Sequence, residues 1–178
     1  MNKVAEFFPV SKEQFEKDFL NKFPNTDLNL PQNKYVEAIG FMYEFVSIQL
    51  PQRSTKGSAG YDFVSPMTFD LEPNEELVIP TGVRCKIDDG WVLMIYPRSS
   101  LGFKYHCNLA NSTAVIDSDY YYADNEGHIM IKLVNRGSKI MHIEAGDKFC
   151  QGVFLPYGIT YNDSVIEERH GGIGSTGK

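Results

Sequence analysis

From Tyr43 onward the chain alternates short apolar runs with clusters of Gly, Pro, Asn and Asp. The runs fall at 45–50, 77–79, 83–87, 91–96, 128–134 and 148–155. Short strands at regular spacing, bounded by turn residues, predict a sandwich or barrel rather than βαβ units. No second segment shows helical periodicity as clear as that near the N-terminus. The expected fold is all-β, a jelly-roll-like double sheet. Neither an internal repeat nor a low-complexity tract interrupts it.

Residues 1–40 read differently. Ser11 and Gln14 fit a capping box, with Ser11 as N-cap and Gln14 at N3. Phe15, Phe19, Leu20 and Phe23 follow at helical spacing, which predicts an amphipathic helix over about 12–22. Pro24 and the polar Asn25-Thr26-Asp27 end it. The Phe stripe is read as the face that docks this helix on the main domain. Residues 1–40 could also serve a protein partner. The chain thus divides into an N-terminal extension (1–40), a β core (41–160) and a glycine-rich C-terminal segment (161–178).

With 178 residues, the core can be a single hydrophobic one. A formal net charge of -6 excludes a general basic field for nucleic acid. An acidic chain acting on an anionic substrate must concentrate positive groups locally, often with a divalent metal. Cys85, Cys107 and Cys150 are odd in number and widely spaced, with no metal motif or disulfide framework, which favours a reducing compartment. No apolar h-region follows Met1, and no apolar run approaches membrane-spanning length. A cytoplasmic protein without membrane or nucleic-acid partners is expected.

Within the core, Ala114-Val115-Ile116 brings Asp117 to the end of a predicted strand. A polar run from 121 to 127 and a second apolar segment, 129–134, complete the pattern of a β-hairpin with a longer loop. A carboxylate so placed suits a general base. On this stretch alone, a turn Asp bonding nearby amides is the simpler reading. The C-terminal run from Glu167 to Lys178 is rich in glycine and hydroxyls, with cationic Arg169 and Lys178. It reads as a disordered terminus or as a phosphate-binding segment offering backbone N–H groups. It lacks the Lys spacing of a P-loop.

Taken in order, five segments resemble the motifs of the trimeric dUTP pyrophosphatase (dUTPase) family. They are Ser58-Ala59-Gly60-Tyr61-Asp62, preceded by Leu50-Pro51-Gln52-Arg53; Pro97-Arg98-Ser99-Ser100-Leu101-Gly102; Asn111 through Tyr120; Gly146-Asp147-Lys148-Phe149-Cys150-Gln151; and Gly171 to Gly177. Each is weak alone, but the ordered set is specific. It covers about 50–178 and leaves 1–40 unexplained.

The resemblance implies a jelly-roll-like trimer of the β-clip type, with active sites at subunit contacts and the fifth motif reaching across as an arm. It implies hydrolysis of dUTP to dUMP and pyrophosphate with Mg²⁺, which removes dUTP and supplies dUMP for thymidylate synthesis. Asp117 then matches the base that activates water. Asp62 matches a carboxylate that helps hold the metal, through water. Arg98, Ser99 and Gln151 match phosphate contacts, and Ser100 either a contact or a turn residue. Tyr120 matches the ring packed on deoxyribose C2′, and Asn111 a position near uracil. Arg169, Ile173, Gly174, Ser175 and Thr176 match the substrate-covering arm.

This chain departs from the family pattern in three places. Six residues, 121–126, separate Tyr120 from Gly127, where the family usually has one. Ile173 stands where an aromatic residue is usual. Arg169 lies one residue closer to the glycine pair than in many members. The resemblance extends in part to dCTP deaminase, but the position of that enzyme's catalytic Glu, three residues before Asn135, is Lys132 here. A lysine cannot shuttle protons as that carboxylate does. A binding or regulatory protein that keeps the fold and senses nucleotide is the rival from another class.

Overall fold

The computed structural model describes residues 2–23, 48–167 and 169–172. The described chain is mostly short strands, as the alternation of apolar runs and turn residues predicts. β1 (Ala5–Pro9) and the helix α1 (Lys12–Lys22) come first, then β2 (Gln52–Arg53), β3 (Tyr61–Val64), β4 (Phe69–Leu71), β5 (Glu76–Pro80) and β6 (Val83–Ile87). β7 (Trp91–Pro97), the short helix α2 (Ser99–Tyr105), β8 (Cys107–Leu109) and β9 (Ala114–Ile116) follow. After a 3₁₀ turn at Ser118–Tyr122 come β10 (Met130–Asn135), β11 (Met141–Ile143) and β12 (Lys148–Pro156).

The largest sheet runs β2-β3-β12-β7-β9. Smaller sheets are β5-β10-β8, β11-β4 and β1-β6. Every pairing within them is antiparallel. In β7, Leu93 and Ile95 are buried while Met94 and Tyr96 are only partly so, the period-two pattern of a strand with one covered face. Phe63, Phe149, Ile79, Ile131 and Leu133 join them in one apolar cluster. The all-β fold is therefore as expected. Two details differ. The expected 114–134 hairpin does not form: β9 pairs with β7, whereas β10 pairs with β5 and β8. Its connecting run is too long and too curled for a tight turn, since Ser118–Tyr122 takes a 3₁₀ turn. The second motif also opens a helix, α2, that no apolar periodicity announced. The run at 45–50 lies partly outside the described residues, and 48–50 are not in a strand.

α1 occupies the predicted span, and Ser11 Oγ accepts from the Gln14 amide at 3.1 Å. Its apolar face docks on the body of the chain: Phe15 and Phe19 are in the core cluster, with Leu20 and Phe23 against it. β1 pairs with β6 along all five of its residues, and Val10 is buried. The N-terminal residues are thus integral to the packing. Among the described residues no helix is long and apolar enough to cross a membrane. The three cysteines are free and buried, and burial pushes the Cys85 thiol up to about 12 and that of Cys107 up to about 11.

Candidate active site

Three neighbouring strands carry one row of polar side chains. Register sets Asp62 of β3 opposite Gln151 of β12, and Gln151 opposite Tyr96 of β7. Directly opposed residues on adjacent strands point to the same face. Arg98 and Ser99 follow at the end of β7, where the chain turns into α2, and Ser54 and Ser58 come from the loop before β3. Together they line a cleft of about 420 Å³. Gly60 lets the strand approach Gln151 closely, since a Cβ would come within 2.6 Å of Gln151 Oε1 and push that amide aside. Arg53 shapes the loop by donating to the Lys56 and Ser58 carbonyls at 3.1 and 3.0 Å.

Asp62 is the electrostatic centre of this cleft. Its Oδ2 accepts from Ser54 Oγ at 2.6 Å and Lys148 Nζ at 2.9 Å, and Arg98 Nε lies 3.4 Å from Oδ1. Burial would raise its carboxyl. The Ser54 and Lys148 hydrogen bonds and the charges of Arg98 and Lys148 outweigh it and hold the group below the usual carboxylate value. The cleft therefore offers two cations and hydroxyl donors around one ionised carboxylate. Such a site suits an oxyanion-rich ligand. Ser54, Tyr96 and Lys148 escaped sequence reasoning. Only strand pairing brings Tyr96 into the cleft and lets Ser54 and Lys148 reach Asp62.

Asp117 stands elsewhere. It follows β9 and makes no capping bond to the 3₁₀ turn it precedes, so it is no ordinary turn Asp. It lines a second pocket with Val92, Met94, Val115, Ser118, Asp119 and Tyr157. Arg169 Nη2 donates to Asp117 Oδ2 at 2.6 Å, and Arg169 Nε to Asp119 Oδ1 at 2.9 Å. Desolvation raises the Asp117 carboxyl, Arg169 opposes this, and Asp119 adds to it; the net shift is upward.

The two places are far apart in one chain. Leu93 faces Ile116, so Asp117 lies beside Val92, four residues along β7 from Tyr96. At the usual strand rise and spacing, Asp117 is about 13 Å along and about 10 Å across from Gln151, or about 16 Å away. Asn111 precedes β9 and is exposed, at the opposite end of that strand from Asp117. Ser100 is exposed on the first turn of α2 and does not line the cleft. Tyr120 is buried: its hydroxyl donates to the His128 carbonyl at 2.8 Å and accepts from Asn125 Nδ2 at 2.9 Å. Its ring lies 5.7 Å from the Arg169 guanidinium carbon. Ile173, Gly174, Ser175 and Thr176 lie outside the described residues.

The dUTPase family model matches residues 47–177. Deoxyuridine 5'-triphosphate nucleotidohydrolase of Lactococcus lactis is 43% identical over 138 residues, 76% of this chain and 92% of the relative. The crystal structure of dUTPase from Streptococcus mutans superposes with TM-score 0.58 at 37% identity, over 64% of this chain and 90% of the other. A dUTPase variant from phage phi11 of S. aureus, described with a coordinated structural Mg(II) ion, gives 0.54 at 28%, over 67% and 90%. With a family match across most of its length, and a relative of that identity, the chain belongs to the dUTPase family.

Proposed function

We propose that this protein hydrolyses dUTP to dUMP and pyrophosphate, as a homotrimer whose active sites are shared between subunits. The observation that carries the reading is the division of the polar groups: a cationic, hydroxyl-rich cleft around Asp62, and a carboxylate of raised pKa at Asp117, which lies about 16 Å by register from Gln151 of that cleft. A base must come within hydrogen-bond reach, directly or through one water, of the proton it takes. One chain cannot bring both groups to the same phosphorus. A second copy can, and closed symmetry makes every such contact equivalent.

In this reading Arg98, Ser99 and Gln151 bind the phosphates. Asp117 of a neighbouring copy takes a proton from the attacking water. The water oxygen bonds to the α-phosphorus, and the bond from that phosphorus to the bridging oxygen breaks as pyrophosphate leaves. Tyr120 turns its hydroxyl inward, so its ring, not a hydrogen bond, would bar a ribose 2′-hydroxyl. Asn111 would lie near the uracil of a site formed with another copy. Arg169 and the arm residues Ile173, Gly174, Ser175 and Thr176 would close over the nucleotide.

The residues present fit Mg²⁺ as an ion carried largely by the triphosphate. Among the described residues no group of three His, Cys, Asp or Glu could hold a metal. Both Asp62 oxygens already face cations, so Asp62 would take the ion through a bound water, in keeping with the few protein ligands Mg²⁺ needs. When bound, the ion neutralises triphosphate charge. The test is pyrophosphate release from dUTP in the presence of Mg²⁺, with UTP and dCTP as controls, alongside the mass of the assembly in solution. Release from dUTP by a trimer is expected; a stable monomer that turns over dUTP would overturn the shared site.

A further inference from the structure

The segment 5–23 lies outside the family match at 47–177, yet it grips the loop that carries Tyr120. The Ser11 amide and hydroxyl donate to the two Glu126 carboxylate oxygens at 2.8 and 2.6 Å. Asp18 Oδ2 lies 2.6 Å from His128 Nδ1. The imidazole of His128 is completely buried, and its Nε2 accepts the Gly82 amide hydrogen at 2.8 Å. A nitrogen that accepts carries no proton, so the ring hydrogen sits on Nδ1 and is donated to Asp18. Gln14 Nε2 donates to the same Asp18 oxygen at 2.8 Å.

The backbone between these anchors does not hold itself in place cheaply. Glu126 stands at φ 58°, in the left-handed region that costs a side chain energy. Gly127 follows at φ 67°, where a Cβ would meet the Tyr120 carbonyl oxygen at 2.6 Å. Strained backbone persists where its surroundings over-determine it. Here the surroundings are Ser11 on one side and Asp18 on the other, with Arg84 donating to the Tyr121 carbonyl at 2.7 Å and pairing with Glu126. The His128 carbonyl then receives the Tyr120 hydroxyl, and Asn125 Nδ2 donates to that hydroxyl as well. Asp18, His128 and Tyr120 thus form a continuous chain of contacts from the N-terminal helix to the ring.

We propose that Asp18 and Ser11 are positioning residues for the nucleotide site: through His128 and Glu126 they fix the longer loop that follows Tyr120, and with it the ring that faces the sugar. The proposal rests on the reading of Tyr120 as the ring against deoxyribose. The loop insertion at 121–126 and the N-terminal helix are two halves of one device.

The experiment uses the full chain. Asp18→Ala removes the acceptor for His128 Nδ1–H, and Asp18→Asn keeps one in the same place. Two readouts are taken: kcat/KM for dUTP over UTP, and hydrogen exchange of the 125–128 amides. Asp18→Ala should lower the dUTP:UTP ratio about tenfold by misplacing the ring, with kcat for dUTP within about threefold of the parent. Its 125–128 amides should exchange faster, and Asp18→Asn should recover most of both. A folded Asp18→Ala with the parent ratio, or with unchanged exchange, overturns the proposal. If Asp18→Ala does not fold, Glu126→Ala, at a partly exposed position of the loop, is read by the same two criteria. A parent chain that does not hydrolyse dUTP would instead overturn the functional reading, while the exchange data would still decide the clamp.

Discussion

Arg169 bridges two carboxylates of its own chain, reaching Asp117 Oδ2 at 2.6 Å and Asp119 Oδ1 at 2.9 Å. Arg169 therefore has a resting place on the carboxylate proposed as the base. Asp117 remains half-exposed, its side chain 49% accessible, so a phosphate that competes for Arg169 would free the carboxylate.

This pair sets a pH dependence. The Asp117 carboxyl is raised by desolvation, opposed by Arg169 and raised further by Asp119. A raised base protonates at higher pH than an ordinary carboxyl, so kcat/KM should fall as pH drops through that raised value. Arg169→Ala removes the opposing charge and should move the acid limb to higher pH. Asp119→Asn removes the raising charge and should move it to lower pH. Shifts in the same direction for both variants would remove Asp117 from the role of base.

Tyr120→Ala should admit UTP. The ring's hydroxyl is spent on His128 and Asn125, so discrimination falls to the ring's bulk. The ratio of kcat/KM for dUTP over UTP should fall by tenfold or more, about 1.4 kcal/mol of discrimination. An unchanged ratio in a folded variant would put the discriminator elsewhere.

All five motifs lie beyond Leu50, yet the described part of the N-terminal extension is built into the packing. Phe15 is 1% exposed, and β1 is half of a sheet with β6. Phe15→Ala should cost about 3–5 kcal/mol, as for other buried aromatics, and lower the thermal midpoint. Deletion of 1–40 should be worse, since it also bares the face of β6. A truncated chain as stable as the parent would show that β1 and α1 add nothing to the packing.

Mixing should reveal whether sites are shared. Asp117→Asn and Arg98→Ala are each expected to be inactive alone. Co-expressed, they should form trimers in which some sites draw an intact Asp117 from one copy and an intact Arg98 from the other. Recovered pyrophosphate release is the expected result, and persistent inactivity in confirmed mixed trimers would mean that both residues come from the same copy.

The pattern of short apolar runs made the β fold legible, and the Ser11–Gln14 box made α1 legible, because both depend on local sequence. The 114–134 hairpin was misread because pairing is decided by tertiary contacts. The apolar faces of β9 and β10 find β7 and β5 instead of each other. Asp62, Arg98 and Gln151 were legible as matches to motif positions, whereas no role could be read for Ser54, for Tyr96, or for Lys148 within the fourth motif. Their place around the cleft depends on which strands lie adjacent. The contacts of Asp18 with His128 and of Ser11 with Glu126 span 110 and 115 residues, so nothing local could signal them.

The most direct measurement is single-turnover pyrophosphate release from dUTP by Asp117→Asn, alongside dUTP binding by the same variant. The amide is nearly isosteric with the carboxylate but cannot accept a proton from water. Binding within a few-fold of the parent together with loss of release by about 10²-fold or more is the predicted result, in line with removal of a general base. Release near the parent rate would contradict the assignment of Asp117 as the base, and with it the account of how this fold hydrolyses the nucleotide.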